Sequence, residues 1–357
     1  MWILRNFTQR TLKMYNLYDF TLEKLQSLMV EYFQKPFRAR QLFKWIYEKR
    51  ETNFDNMSDI SLSFREILKS DFVCELPKIF VKQESSDGTI KLLLELSDGA
   101  KVETVLMRYS YGNVVCVTSQ VGCNMGCGFC ASGLLKKQRD LTPAEMLGQI
   151  LIVDQILKDE SPEKRVSHVV VMGTGEPFDN YDNVMDFIRI INSPYSLAIG
   201  ARHITVSTCG IPDKIRKYAE EGLQTNLANS LHAPTDEIRN KLMPINRKYP
   251  LNELMDAVKY YEKTADRRVT FEYILLKGIN DSLENAKQLK ELIKDIFAYV
   301  NLIPYNEVEE NKFKRSDAVH DFFDYLMRNK VNATVRKEFG TDIDAACGQL
   351  RAKNEKR

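Results

Sequence analysis

The chain has 357 residues, 44% hydrophobic and 28% charged, a balance that excludes disorder as its main theme. Its 51 Lys and Arg are offset by 49 Asp and Glu, so any nucleic-acid surface must be a local patch. No run of about 18 apolar residues is present to span a membrane. The seven Cys are odd in number, and three of them crowd into positions 123–130. That excludes a secreted disulfide scaffold and points to a reduced, cytoplasmic compartment with metal or redox chemistry.

Residues 1–13 are mildly basic and lack the apolar core of a secretory signal; Met14 is a second plausible start, which makes 1–13 an expected extension. Residues 14–75 read as a helical domain, opened by the cap Thr21 and resumed after Pro36 by Ala39, Leu42, Phe43, Ile46 and Tyr47 at helical spacing. Between Lys35 and Arg50, basic residues outnumber acids six to one. Tyr32, Phe33, Phe37, Phe43, Trp45 and Tyr47 are interleaved with them, which makes the stretch a candidate RNA surface. In residues 76–108, turns at Ser85–Gly88 and Ser97–Gly99 flank apolar strands, the pattern of a short β-meander linking two domains. Lys136-Lys137-Gln138-Arg139 and the basic tail within 346–357 are further candidate phosphate contacts.

From 109 to 345 strand-like and helix-like runs alternate. The strands fall near 113–118, 166–172, 203–208, 225–231, 268–276, 298–304 and 332–337. Helices fall near 142–158, 181–192, 212–221, 251–264, 282–296 and 316–329. The alternation predicts α/β architecture with a parallel sheet, either a partial (β/α)6 barrel or an open doubly wound sheet.

Cys123, Cys127 and Cys130 follow the first strand of this repeat, with Gly122, Gly126 and Gly128 to turn the loop. Three thiolates at this spacing suit one soft metal centre, whereas structural zinc wants four ligands. A [4Fe–4S] cluster on three Cys leaves one iron open to a small molecule. This Cys-x3-Cys-x2-Cys loop resembles that of the radical S-adenosylmethionine (SAM) superfamily. Further segments narrow the likeness: Val171–Pro177, Ile204–Thr208, Ser230–Pro234, Leu242–Asn246, Asn301–Asn306 and Asp342–Leu350. In order and spacing they resemble the RlmN family of RNA adenine methyltransferases over about residues 14–352. The sister Cfr-type family, which methylates C8 of the same adenine, is the nearest alternative; Pro177 and the Pro304 segment look more like RlmN. A non-catalytic metal-containing RNA-binding module would need none of Glu103, Cys116 and Cys347.

The resemblance implies a [4Fe–4S] cluster on Cys123, Cys127 and Cys130. It implies a SAM site of Gly175, Glu176, Ser207, Ser230, Leu231, His232 and Asn306. Cys347 would carry the methyl group, Cys116 would be its partner and Glu103 the proton-handling acid. Taken singly, Gly175 reads as turn chemistry, Ser207 and Ser230 as strand hydroxyls, His232 as a core histidine and Cys116 as a buried thiol. The implied target is C2 of one adenine in 23S rRNA, and of the adenine beside the tRNA anticodon. That carbon is electron-poor, with no lone pair to attack SAM, so a thiolate takes the methyl first. The implied cycle uses two SAM and a 5′-deoxyadenosyl radical, joins enzyme to RNA, and ends in a Cys116–Cys347 disulfide. It also implies a flavodoxin-type electron donor and a monomeric chain. Three positions depart from the family pattern: Asn229 where an apolar residue is usual, Cys209 for Ser, and Thr174 for a larger apolar residue. Strand alternation turns Asn229 away from Ser230, where it is expected to be hydrogen-bonded.

Overall fold

The computed structural model describes residues 14–307, 312–344 and 350–351. Two units are distinguished: one of residues up to Pro77 with 142–148 and 182–199, the other of 78–141, 149–181 and 200 onward.

In the first unit, β1 (Tyr15–Asn16) pairs in parallel with β2 (Phe72–Val73). Between them run α1 (Leu22–Glu31), α2 (Phe37–Phe43) and α3 (Leu62–Asp71). Thr21 caps α1, its Oγ1 accepting the Lys24 N–H at 3.2 Å. Leu25, Met29, Leu42, Phe43, Ile46, Phe64 and Leu68 are buried. The aromatic run therefore divides. Phe43, Trp45 and Tyr47 belong to this core, with Trp45 Nε1 donating to Asp59 Oδ1 at 2.6 Å. Phe33 (90% exposed) and Phe37 (48%) face solvent.

The second unit is built on one ten-stranded sheet. β3 (Lys78–Glu84), β4 (Ile90–Glu95) and β5 (Lys101–Tyr109) form the antiparallel meander. β5 then pairs antiparallel with β6 (Gly112–Cys116). The meander is thus part of the main sheet rather than a linker, because its last strand shares a ladder with the first strand of the parallel array. A short hairpin of β7 (Gln120–Val121) and β8 (Arg139–Asp140) closes the cysteine loop. β9 (Val166–Val171), β10 (Ile204–Thr208), β11 (Asn226–Ser230), β12 (Val269–Leu275), β13 (Ala298–Pro304) and β14 (Ala333–Val335) continue from β6, each parallel to its neighbour. Helices α4 (Pro143–Glu160), α5 (Tyr181–Asn192), α6 (Pro212–Glu220), α8 (Leu251–Ala265), α9 (Leu283–Ile293) and α10 (Val319–Arg328) connect them. A short α7 (Asp236–Leu242), which the sequence reading omits, is capped by Thr235.

The strand order never reverses, and the sheet ends at β14 and β3 without closing. A doubly wound sheet would reverse at a switch point. The fold is therefore a partial (β/α)6 barrel, its seven parallel strands matching the seven strand-like runs of the sequence.

Asn229 overturns its expectation. It is fully buried beside Gly210 and Leu254, and neither amide atom has a hydrogen-bond partner. A buried unsatisfied amide costs about 1–3 kcal/mol. Asn229→Leu, similar in volume, is expected to raise the unfolding free energy by about 1–3 kcal/mol in urea titration. No gain would mean that the amide is satisfied by bound water.

Candidate active site

The cysteine loop leaves β6 and is tied down by its backbone. Cys123 N–H donates to Leu135 O, and Gly128 N–H to Leu242 O, both at 2.9 Å. Gly122 has φ +84°, and a Cβ there would lie 2.2 Å from the Lys136 carbonyl oxygen, so only glycine lets the strands on either side of the loop close. The three thiols line a cavity of about 150 Å³.

Of the expected SAM residues, Gly175, Glu176, Ser207, Ser230 and His232 line the same cavity. Leu231 and Asn306 do not. Leu231 is fully buried, its N–H donating to Glu272 O at 3.1 Å, and Asn306 is exposed beyond β13. The five sit at the ends of β9, β10 and β11, brought level by parallel register. Gly175 has φ +113°, and a Cβ there would lie 2.7 Å from Gln120 Cβ.

Glu176 acts within the protein first. Its Oε1 accepts the Phe178 N–H at 3.0 Å and its Oε2 the Cys209 N–H at 2.7 Å. Its own N–H donates to Gln120 Oε1 at 2.9 Å. Burial pushes its carboxyl above the usual range, against the pull of those donors. His232 is buried with φ +57°. Its Nδ1 accepts the Ile274 N–H at 3.1 Å, which makes Nε2 the protonated nitrogen. Burial, with Arg239 adding to it, lowers the His232 pKa to about 3. The Ser207 and Ser230 hydroxyls stand 3.4 Å apart.

Arg239, on α7, is a residue that sequence reasoning missed. It is fully buried and donates to Leu231 O, Asn246 Oδ1, Cys209 O and Ser230 O at 2.6–3.3 Å. One guanidinium thereby joins the ends of β10 and β11 to the turn after α7. The available signal was the Thr235 cap, which announces a helix whose first turns face the site. Asn280 is similar: its Nδ2 donates to His232 O at 2.8 Å.

The departures find local reasons. Thr174 is buried with its Oγ1 3.1 Å from Ser132 Oγ, a partner on the segment just after Cys130. Cys209 lines the cavity, and burial pushes its thiol well up. Of the 136–139 cations, Lys137 is paired with Asp140 and Asp179, and Arg139 with Asp98. This run is mostly neutralised, which weakens it as a phosphate contact.

Glu103 on β5 and Cys116 on β6 do not line the cavity; both are buried on one face of the sheet. Cys116 packs with Val105, Met107 and Val114, and Met172 bridges that cluster to the cavity wall. Cys347 lies outside the described residues.

The donor set fits a sulfur-ligated iron cluster. Among the described residues no three Cys, His, Asp or Glu groups converge as a single-ion site. Three soft thiols instead rim a cavity whose acid, Glu176, is engaged by backbone donors. Burial pushes the Cys123 thiol up to about 11, so as a cluster ligand it would need the charge of bound iron to become a thiolate.

Residues 117–293 match the radical SAM superfamily. A crystal structure of a radical SAM methyltransferase from Sphaerobacter thermophilus superposes with a TM-score of 0.87 at 39% identity. It covers 94% of this chain and 98% of that one. Fold and cysteine loop thus define a radical SAM enzyme. Residues 15–74 match the ribosomal RNA large subunit methyltransferase N-terminal domain. A probable dual-specificity RNA methyltransferase RlmN of Spiroplasma citri is 55% identical over 342 residues, 96% of this chain and 99% of that protein. The protein of that name in Streptococcus mutans serotype c is 54% identical over 347 residues, 96% of each chain. The chain belongs to the RlmN family.

A pH test follows from His232. Its folded pKa of about 3 lies below the ordinary 6.5, so the unfolded chain takes up a proton there first as pH falls. The stability it contributes is complete above pH 6.5 and is lost as pH drops toward about 3. In urea titrations of the apo protein, the advantage of wild type over His232→Gln is expected to shrink between pH 7 and pH 4. A difference that stays constant would contradict a neutral buried imidazole.

Proposed function

We propose that this enzyme moves a methyl group from SAM to C2 of an adenine in 23S rRNA, at the peptidyl transferase centre, and of the adenine beside the tRNA anticodon. The observation that carries the reading is the shared cavity: three thiols from one loop, and polar groups from three successive strand ends, open onto it. Cys123, Cys127 and Cys130 hold the cluster. When bound, the [4Fe–4S] cluster and SAM supply the radical chemistry that an electron-poor ring carbon requires.

The remaining roles belong to the chain's own groups. Gly175 lets the cavity wall pack against Gln120, and the Ser207 and Ser230 hydroxyls give SAM polar partners. Glu176 shapes the wall, and His232 offers a fixed Nε2–H donor. Cys347 takes and presents the methyl carbon, Cys116 attacks the Cys347 sulfur to free the product, and Glu103 accepts the proton from C2. Each turnover uses two SAM, a flavodoxin-type electron donor and a reductant for the resulting disulfide. The target base must leave its stack to enter the site. Exposed Phe33 and Phe37, with Lys35, Arg40 and Lys44 on the same unit, suit contact with RNA bases and phosphates. No described helix is long and apolar enough to cross a membrane. The enzyme works in the cytoplasm, as a monomer.

The test is nucleoside mass spectrometry with cluster-reconstituted enzyme, reductant, methyl-deuterated SAM and unmodified large-subunit rRNA. Labelled 2-methyladenosine is expected, and none with Cys347→Ala. Labelled 8-methyladenosine would move the activity to the Cfr type. No methylated adenosine, with cluster and reductant verified, would overturn the reading.

A further inference from the structure

A lysine sits where the strand pattern has no use for one. Lys91 opens the apolar run of β4 and is fully buried. An ammonium is not retained in a protein interior without a specific partner. That partner is Glu103, 5% exposed, with Lys91 Nζ at 2.9 Å from its Oε2. The pairing follows from the ladder: Lys91 is opposite Val105 and Leu93 opposite Glu103, so the two charges face each other diagonally on one face of the sheet. Cys116, opposite Val105 on the other side, is on that face too.

The second Glu103 oxygen is also engaged. Oε1 accepts the Arg351 backbone N–H at 2.6 Å. The chain just before residue 345 is tied to the same meander. Gly340 N–H donates to Asp87 Oδ2 at 3.0 Å, and Asp342 accepts from the Ser85 hydroxyl and the Ser86 N–H. Asp344 exchanges two hydrogen bonds with the Gln83 amide at 3.1 and 3.2 Å. The meander thus grips the chain at 340–344 and again at 351. Glu103, the proposed proton acceptor, is the second of those grips.

We propose that Lys91 is a positioning residue for methyl transfer: its ammonium pins the Glu103 carboxylate so that it can accept the proton of C2 while anchoring the chain at Arg351. This rests on the proposed role of Glu103. An ammonium bound to one oxygen fixes the carboxylate plane, and a carboxylate has about four acceptor positions, more than the Lys91 and Arg351 bonds use. Without Lys91 the carboxylate would be a buried charge that has lost its cation, and its plane would no longer be fixed by the ion pair.

The test is a double-mutant cycle on the reconstituted holoenzyme, with Lys91→Met, Lys91→Arg, Glu103→Gln and the double variant Lys91→Met/Glu103→Gln. The double variant removes both buried charges and is expected to fold even if Lys91→Met alone does not. With Glu103 present, Lys91→Met is expected to lower kcat about tenfold at unchanged KM for RNA, from lost orientation of one group. Deuterium at C2 should then slow turnover more than in wild type, and Lys91→Arg should restore most of the rate. In the slow Glu103→Gln background, removing Lys91 should change the residual rate no further. In the apo chain, hydrogen exchange at the Arg351 amide should quicken in Lys91→Met and Lys91→Met/Glu103→Gln. Equal slowing by Lys91→Met in both backgrounds, or wild-type turnover of Lys91→Met beside an inactive Glu103→Gln, would overturn the proposal alone. Wild-type turnover of Glu103→Gln would overturn the proton-acceptor reading, and the proposal with it.

Discussion

Everything at the site depends on the hydrogen-bond register of the parallel strands. Cys116 is opposite Val170, Val170 opposite Thr205, Ser207 opposite Ala228, and Ser230 opposite Glu272. Because the strands run the same way, their carboxyl ends finish at one rim, and the loops that leave them meet there. A slip of one residue in any strand would turn its inward groups toward the helices. Ser207 and Ser230 would then leave the cavity, and Cys116 would lose its place beside the wall.

Register aligns the strand ends but does not hold the loops beyond them. Buried polar groups with complete sets of partners do that. Glu176 straps the loop after β9 to the one after β10 through the Cys209 N–H. Arg239 gathers carbonyls after β10 and β11, and Asn280 holds the backbone of His232 in its left-handed conformation. Such networks stabilise only when every member is satisfied. Asn229 shows the contrast: it has the same burial, no partner and no part in the rim.

The meander extends the logic to the other side of the sheet. It joins by an antiparallel ladder, places Glu103 on the same face as Cys116, and supplies the grips for 340–344 and 351. One continuous sheet therefore carries the cysteine loop, the buried ion pair and the hold on the C-terminal part of the chain.

Much of this was legible in the residues. Alternating apolar runs marked the seven parallel strands nearly to their ends, because period-two and period-3.6 burial are local properties of a chain. Cys123, Cys127 and Cys130 were legible because a ligand set on one loop is written in spacing alone. Other features depended on distant neighbours. The meander read as a linker because strand pairing is not encoded in a strand's own pattern. Phe43, Trp45 and Tyr47 read as part of an RNA surface but are buried, Trp45 bonded to Asp59 and Tyr47 packed on Tyr18 and Phe43. Nothing in the local pattern marked Lys91 or Arg239: one is enclosed by Glu103, twelve residues downstream, and the other by four separate acceptors. The sequence by itself determined the family, the strand and helix order and the metal-binding loop. The tertiary structure decided which polar groups share a cavity, which cations are already paired and which charges are buried, because those depend on contacts between residues far apart in the chain.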